Sequence, residues 1–130
     1  MLECVSMEPL RTARLTLQPW KTEEIDQAHE IWGDPAVMAL LDTRGGLTRD
    51  QTKEKLDREL ACQKEFGVSY WKVTESESGR LAGCSGLRPW QYTEDKDAWE
   101  VGFHLVSRAW GKGYATEVGA AVVSYAFEVK

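Results

Sequence analysis

Between Ser107 and Thr116 the chain reads Ser-Arg-Ala-Trp-Gly-Lys-Gly-Tyr-Ala-Thr, a run suited to holding an anion. A loop that opens into a helix offers unpaired backbone N–H groups and the positive end of the helix dipole. Gly111 and Gly113 carry no Cβ, so the main chain can turn tightly there and come close to a ligand. Arg108 and Lys112 add positive charge to a chain whose formal net charge is −5. Phosphate oxygens are the expected ligand, and a diphosphate suits the span best. The plainer reading is a glycine-rich turn that merely joins a strand to a helix.

Two other phosphate loops do not fit. The Walker pattern needs GxxxxGK followed by Ser or Thr, which this run lacks. A dinucleotide fingerprint needs Gly or Ala at the sixth position counted from Gly111, where Thr116 stands.

The elements that must position this loop can be read from hydrophobic spacing. Before it, Ala98 to Val106 is expected as a strand; after it, Val118, Ala121, Val122, Tyr125 and Val129 recur at helical spacing. Upstream, Leu15 and Leu17 alternate with Arg14, Thr16 and Gln18, which predicts a half-buried strand within Thr12 to Trp20. Thr22 is the expected N-cap of a short helix, with Glu23 and Glu24 in its first turn and Ile25, Ala28 and Trp32 on one face. Gly33-Asp34-Pro35 ends it. Thr48 and Gln51 have capping-box spacing and open a second helix, which runs to about Phe66 before Gly67. Leu56 and Leu60 face its interior, and its Lys, Glu, Arg and Asp residues read as solvated surface. Strands near Ser69 to Glu75 and Arg80 to Trp90 flank a hairpin turn at Ser76 to Gly79, and Tyr92 to Lys96 reads as loop. The order is β-α-α-β-β-β-α, a mixed α/β (α+β) layout in one domain spanning residues 1–130.

Composition narrows the partners. An acidic chain is poorly suited to nonspecific nucleic-acid binding, which depends on Lys and Arg neutralising phosphates. Excess carboxylate favours cationic partners such as amines. No apolar run approaches the roughly 20 residues that span a bilayer, so no membrane partner is expected. Met1-Leu2-Glu3-Cys4 does not open like a secretory signal. Cys4, Cys62 and Cys84 are odd in number and form no CxxC, so reduced thiols in a cytoplasmic protein are expected. Neither Cys62 nor Cys84 has a basic neighbour to activate it. With His29 and His104 the only histidines, no metal centre is expected.

Arg108-Ala109-Trp110-Gly111-Lys112-Gly113 matches the (Gln/Arg)-x-x-Gly-x-(Gly/Ala) signature of the GNAT N-acetyltransferases. The longer run Trp110 to Glu117 resembles the branch that contains the ribosomal-protein N-terminal acetyltransferases. Arg14 to Trp20 is similar to that branch's first strand, and Gly83-Cys84-Ser85-Gly86-Leu87 to its third. The resemblance extends from about residue 12 to the end.

It implies a central, mostly antiparallel sheet with helices packed on it, and acetyl-CoA as cosubstrate without a metal. Backbone amides from Arg108 to Ala115, Tyr114 included, would hold the CoA diphosphate. The strand edge at His104, Leu105 and Val106 would pair with the pantetheine arm, and an N–H near Leu105 would receive the oxyanion. A bulge is expected in that strand. The amine acceptor would be a protein N-terminus or a small molecule. Transfer to an amine needs a base and a polarised thioester carbonyl. The branch often carries a glutamate at the position of Glu100, which makes Glu100 the expected general base, directly or through a water. The plainer reading of Glu100 is a strand carboxylate in an ordinary salt bridge. His104, four residues on, is a lesser base candidate and reads better as a structural histidine. Trp90 and Trp99 either line an acceptor pocket or simply pack.

Members of the family continue with a fifth strand, a further helix and a final hairpin, which the resemblance implies are missing after Lys130. An open sheet edge and an exposed helix stripe would follow, and with them association of the chain with itself or a partner. The alternative function is a noncatalytic CoA-binding or assembly module.

Overall fold

Leu15 and Leu17 point inward from a strand, but that strand is shorter than its alternation suggests. In a computed structural model, which describes residues 9–39, 45–89 and 99–129, the segment forms two strands. These are β1 (Leu10–Arg11) and β2 (Leu15–Gln18). The Thr12 amide donates to the Leu15 carbonyl at 2.8 Å and folds the chain back, so Leu10 lies opposite Leu17. Thr16 is therefore buried, with its hydroxyl 2.7 Å from that of Ser76. The expectations for Cys4, Trp90 and Tyr92 to Lys96 lie outside the described residues.

β3 (Tyr70–Glu75), β4 (Leu81–Pro89) and β5 (Trp99–Leu105) complete a five-stranded sheet in the order β1-β2-β3-β4-β5, every pair antiparallel. The β3–β4 turn closes at Gly79, whose φ of +75° suits glycine, with its amide on the Glu75 carbonyl at 2.8 Å. The bulge expected in the strand before the loop is not found. Pairing of β4 with β5 runs unbroken from Gly83–Leu105 to Pro89–Trp99. The register shift lies instead between Val73 and Thr74, where β3 meets β4. Gly83, on the partner strand there, has a φ of +153°, and a Cβ on it would meet the His104 carbonyl oxygen at 2.1 Å. Alternation along β5 therefore holds, and Glu100, Gly102 and His104 share a face.

Thr22 is not the N-cap of the first helix but the first residue of a 3-10 turn, Thr22–Glu24. The Glu24 carboxylate takes the Lys21 amide at 2.8 Å, closing that turn ahead of α1 (Ile25–Trp32). Asp34 and Pro35 both end one helix and start another. Asp34 caps α2 (Pro35–Met38) by accepting the Ala36 amide at 2.9 Å, with Pro35 at the first position. α3 (Arg49–Phe66) opens with the expected Thr48/Gln51 box and closes on left-handed Gly67. Its inward face is more polar than the spacing of Leu56 and Leu60 implied: Thr52, Glu59 and Gln63 are buried. Gln63 takes the Ser69 hydroxyl and the Trp71 indole at 3.0 and 2.7 Å, so these buried polar groups are paired.

α4 (Tyr114–Val129) lies against one face of the sheet, where Tyr125 meets Trp71 edge-on with ring centres 5.2 Å apart. Val118 and Val122 are fully buried beneath it. The opposite face, carrying Tyr70, Lys72 and Arg88, is covered by α1, α3 and the 3-10 turn through Lys72–Glu24 and Arg88–Glu59.

Candidate active site

β5 leaves the sheet through a second 3-10 turn, Ser107–Ala109, and the chain reaches α4 through Trp110 to Gly113. Gly111 and Gly113 have φ of +80° and +79°, in the left-handed region. Nothing lies within 4 Å of a Cβ on Gly111, so backbone conformation rather than crowding demands glycine there. The Glu117 amide reaches back to the Gly113 carbonyl at 3.2 Å. The amides just before it, at the start of a helix, have no turn behind them to bond. Six of the residues singled out in the sequence meet at one cleft of about 320 Å³: His104, Leu105, Gly111, Gly113, Tyr114 and Ala115. Val37, Phe103, Ala109 and Trp110 complete its walls.

Val106, Arg108 and Lys112 stand outside the lining. The Val106 amide donates to the Ala82 carbonyl at 2.9 Å, which commits it to the sheet. The Arg108 guanidinium donates to the Leu81 carbonyl at 2.6 Å, pinning the loop to β4. Lys112 lies 3.5 Å from Glu75, which also accepts the Tyr114 hydroxyl at 2.7 Å. Hydrogen bonds from Tyr114 and Ser78, with the Lys112 charge nearby, hold the Glu75 carboxyl below its ordinary value. A cation that motif reasoning missed is Arg14. Its guanidinium stacks 4.6 Å from the centre of the Tyr114 ring and sits 3.6 Å from where a Cβ on Gly113 would be. Glu117 holds it there, accepting the Arg14 Nε at 2.7 Å and the Arg14 amide at 2.9 Å, while also taking the Thr12 hydroxyl. Its only signal in the sequence was membership of the first-strand run.

On the α1/α3 side of β5 the Trp32 indole donates to His104 Nδ1 at 3.1 Å, which fixes the neutral ring with its proton on Nε2. Burial, with the Lys55 and Arg88 charges nearby, pushes the His104 pKa down to about 4. His104 is therefore a poor base near neutrality. Tyr70 crosses from β3 beneath the Gly86–Gly102 pair: a Cβ on Gly102 would fall 2.2 Å from its hydroxyl. Its ring is held between the Arg88 guanidinium, 4.0 Å from its centre, and the His104 ring at 5.7 Å. The hydroxyl has no hydrogen-bond partner among the described residues, although Tyr70 is only 3% exposed. Glu100 lies opposite Arg88, with Oε1 3.7 Å from its Nε, and does not line the 320 Å³ cleft. Trp99 packs edge-on against Phe66. Burial raises the thiols of Cys62 to about 11 and Cys84 to about 12, consistent with unreactive cysteines. Among the described residues no group of side chains could hold a metal ion.

A strand edge, a glycine loop and a helix start meet at one cleft, and comparison supplies the family. The model of the acetyltransferase (GNAT) domain matches residues 14–130, and the chain belongs to that family of acyltransferases, which draw on acetyl-CoA. YkkB of Bacillus subtilis is 32% identical over 97 residues, covering 75% of this chain and 55% of its own length. The N-acetyltransferase p20 of Bacillus licheniformis is 25% identical over 121 residues, covering 93% and 67%. The chain thus spans only about half to two thirds of these relatives. A ribosomal L7/L12 alpha-N-protein acetyltransferase, RimL, solved in complex with coenzyme A, shares the fold with a TM-score of 0.72 at 15% identity. That superposition covers 91% of this chain and 67% of RimL.

Proposed function

We propose that this chain transfers the acetyl group of acetyl-CoA to a primary amine, with Glu100 as general base. The observation that carries this reading is the cleft bounded by β5 and the start of α4, lined by Gly111, Gly113, Tyr114 and Ala115. Its volume suits part of an extended cofactor rather than all of it. The diphosphate would lie against the amides that open α4, with Arg14 the nearest guanidinium. The pantetheine arm would run along the edge of β5 by His104 and Leu105. The thioester would then lie beside Gly102 and His104, where the Tyr70 hydroxyl offers a buried donor.

Glu100 is the base of this scheme because it shares a face with Gly102 and His104 and remains partly open to solvent. It takes a proton from the ammonium, directly or through a water, before the amine attacks. Both a protein N-terminus, the acceptor class of the ribosomal-protein branch, and a small-molecule amine suit this chemistry.

Calorimetric titration with acetyl-CoA, run beside a thiol-release assay over a panel of amines, tests the proposal. Binding with amine-dependent thiol release supports it. Binding without turnover would favour a noncatalytic CoA-binding module, and no binding would reject both.

A further inference from the structure

A second cleft, of about 430 Å³, lies between α3 and the end of β4. Its charged wall is Lys55, Arg58, Glu59, Glu65 and Arg88, and Ala61, Cys62, Phe66 and Pro89 make it apolar elsewhere. Glu59 is spent within the protein: it takes Arg88 at 2.7 Å and the Tyr70 amide at 2.9 Å. Lys55 and Arg58, one helical turn apart, have no carboxylate within ion-pair distance among the described residues. Lys55 is half-buried, its ammonium 5.2 Å from the centre of the Trp32 ring, and burial lowers its pKa. Glu59 is the nearest compensating charge for Lys55, but its carboxylate is engaged by Arg88 and the Tyr70 amide, so a partly buried ammonium and the neighbouring Arg58 leave room for a ligand's anion.

Position in the sheet says which ligand. This cleft adjoins the Pro89–Trp99 end of the β4–β5 pair, while the glycine loop follows the Gly83–Leu105 end. Six residue steps along a strand separate them, roughly 20 Å. A phosphate held at the loop does not reach here. Arg88 lines the cleft and stands 3.7 Å from Glu100, so the Arg88 side of the cleft lies next to the proposed base.

We infer that the amine acceptor is a small molecule that also carries a carboxylate, received by Lys55 and Arg58, with its apolar body against Phe66 and Pro89. This rests on the acetyl-transfer reading above and names the substrate class of that site. No bond to the carboxylate forms or breaks; it only orients the amine toward Glu100.

The test is steady-state acetylation by the full chain with matched amines: L-phenylalanine against L-phenylalaninamide and phenethylamine. One charge-assisted contact favours the acid by about tenfold or more in kcat/KM, compared at equal concentrations of neutral amine. In Arg58→Gln and Lys55→Gln the acid-to-amide ratio should fall toward one, and in Arg58→Glu it should invert. Arg58 is exposed, so its variants report even if a Lys55 variant fails to fold. Turnover with no preference for the acid, or a ratio unmoved by these substitutions, overturns the inference and leaves acetyl transfer standing. Absence of turnover with every amine, peptide N-termini included, removes the acetyl-transfer reading and this inference with it.

Discussion

Glu59 on α3 and Arg88 on β4 form a 2.7 Å ion pair whose carboxylate side chain is only 5% exposed and also accepts the Tyr70 amide. One acidic side chain thus fastens a helix to two strands and aims Arg88, which in turn lies against the Tyr70 ring and beside Glu100. Substituting Glu59→Leu strands a partly buried guanidinium and an unpaired amide, at a cost of about 3 kcal/mol. Urea unfolding should show the midpoint drop, and Glu59→Gln, which keeps an acceptor for the amide, should lose less.

Glu100→Gln separates chemistry from binding. Loss of a positioned base lowers kcat by about a hundredfold or more. Acetyl-CoA affinity should stay at the wild-type value, because the side chain stands outside the cleft between β5 and α4. A variant with undiminished kcat would return Glu100 to the role of a strand carboxylate paired with Arg88.

Gly111→Ala and Gly113→Ala each force a Cβ into left-handed backbone, costing about 1–2 kcal/mol. Relaxation of the loop should turn the amides away from the diphosphate and weaken acetyl-CoA binding by about tenfold in titration calorimetry. Unchanged affinity in both variants would mean that the loop is only a connection.

His104 predicts an acid-side loss of stability. Its folded pKa, about 4, lies below the unfolded value near 6.5, so the unfolded chain binds the extra proton between them. The contribution is therefore complete above about pH 6.5 and is lost progressively as pH falls toward 4. Urea midpoints across that range should slope accordingly, and His104→Gln should flatten the slope.

Thr48→Ala should cost about 1 kcal/mol, since the Thr48 hydroxyl accepts the Gln51 amide at 3.2 Å while Gln51 returns to the Thr48 amide at 2.9 Å. Thermal unfolding followed by circular dichroism measures this directly.

What was legible in the sequence is what depends on near neighbours. The Thr48 box, the helix end at Gly67, the hairpin turn at Gly79 and the inward Leu15 and Leu17 are local, and each appears where expected, although Thr16 between the two leucines is buried as well. The glycine loop was equally readable, because conformation alone fixes Gly111 and Gly113. Partners chosen across the fold were not. Arg108 and Lys112 read as cations for a ligand, yet the fold engages them at Leu81 and Glu75. Glu59 looked like surface because burial of a polar side chain depends on acceptors and donors that only folding brings near. Arg14 is in the same position, its place beside Gly113 set by a residue 103 positions further on.

That tie between Arg14, Thr12 and Glu117 bears on the order of assembly. It closes a very long span of chain, so the entropy of closure is met only once the intervening sheet has formed. The guanidinium beside Gly113 is thus placed only when the first strand and the start of α4 are both in position. A chain frayed at its first strand would therefore lose Arg14 from beside Gly113 while its loop sequence stayed intact.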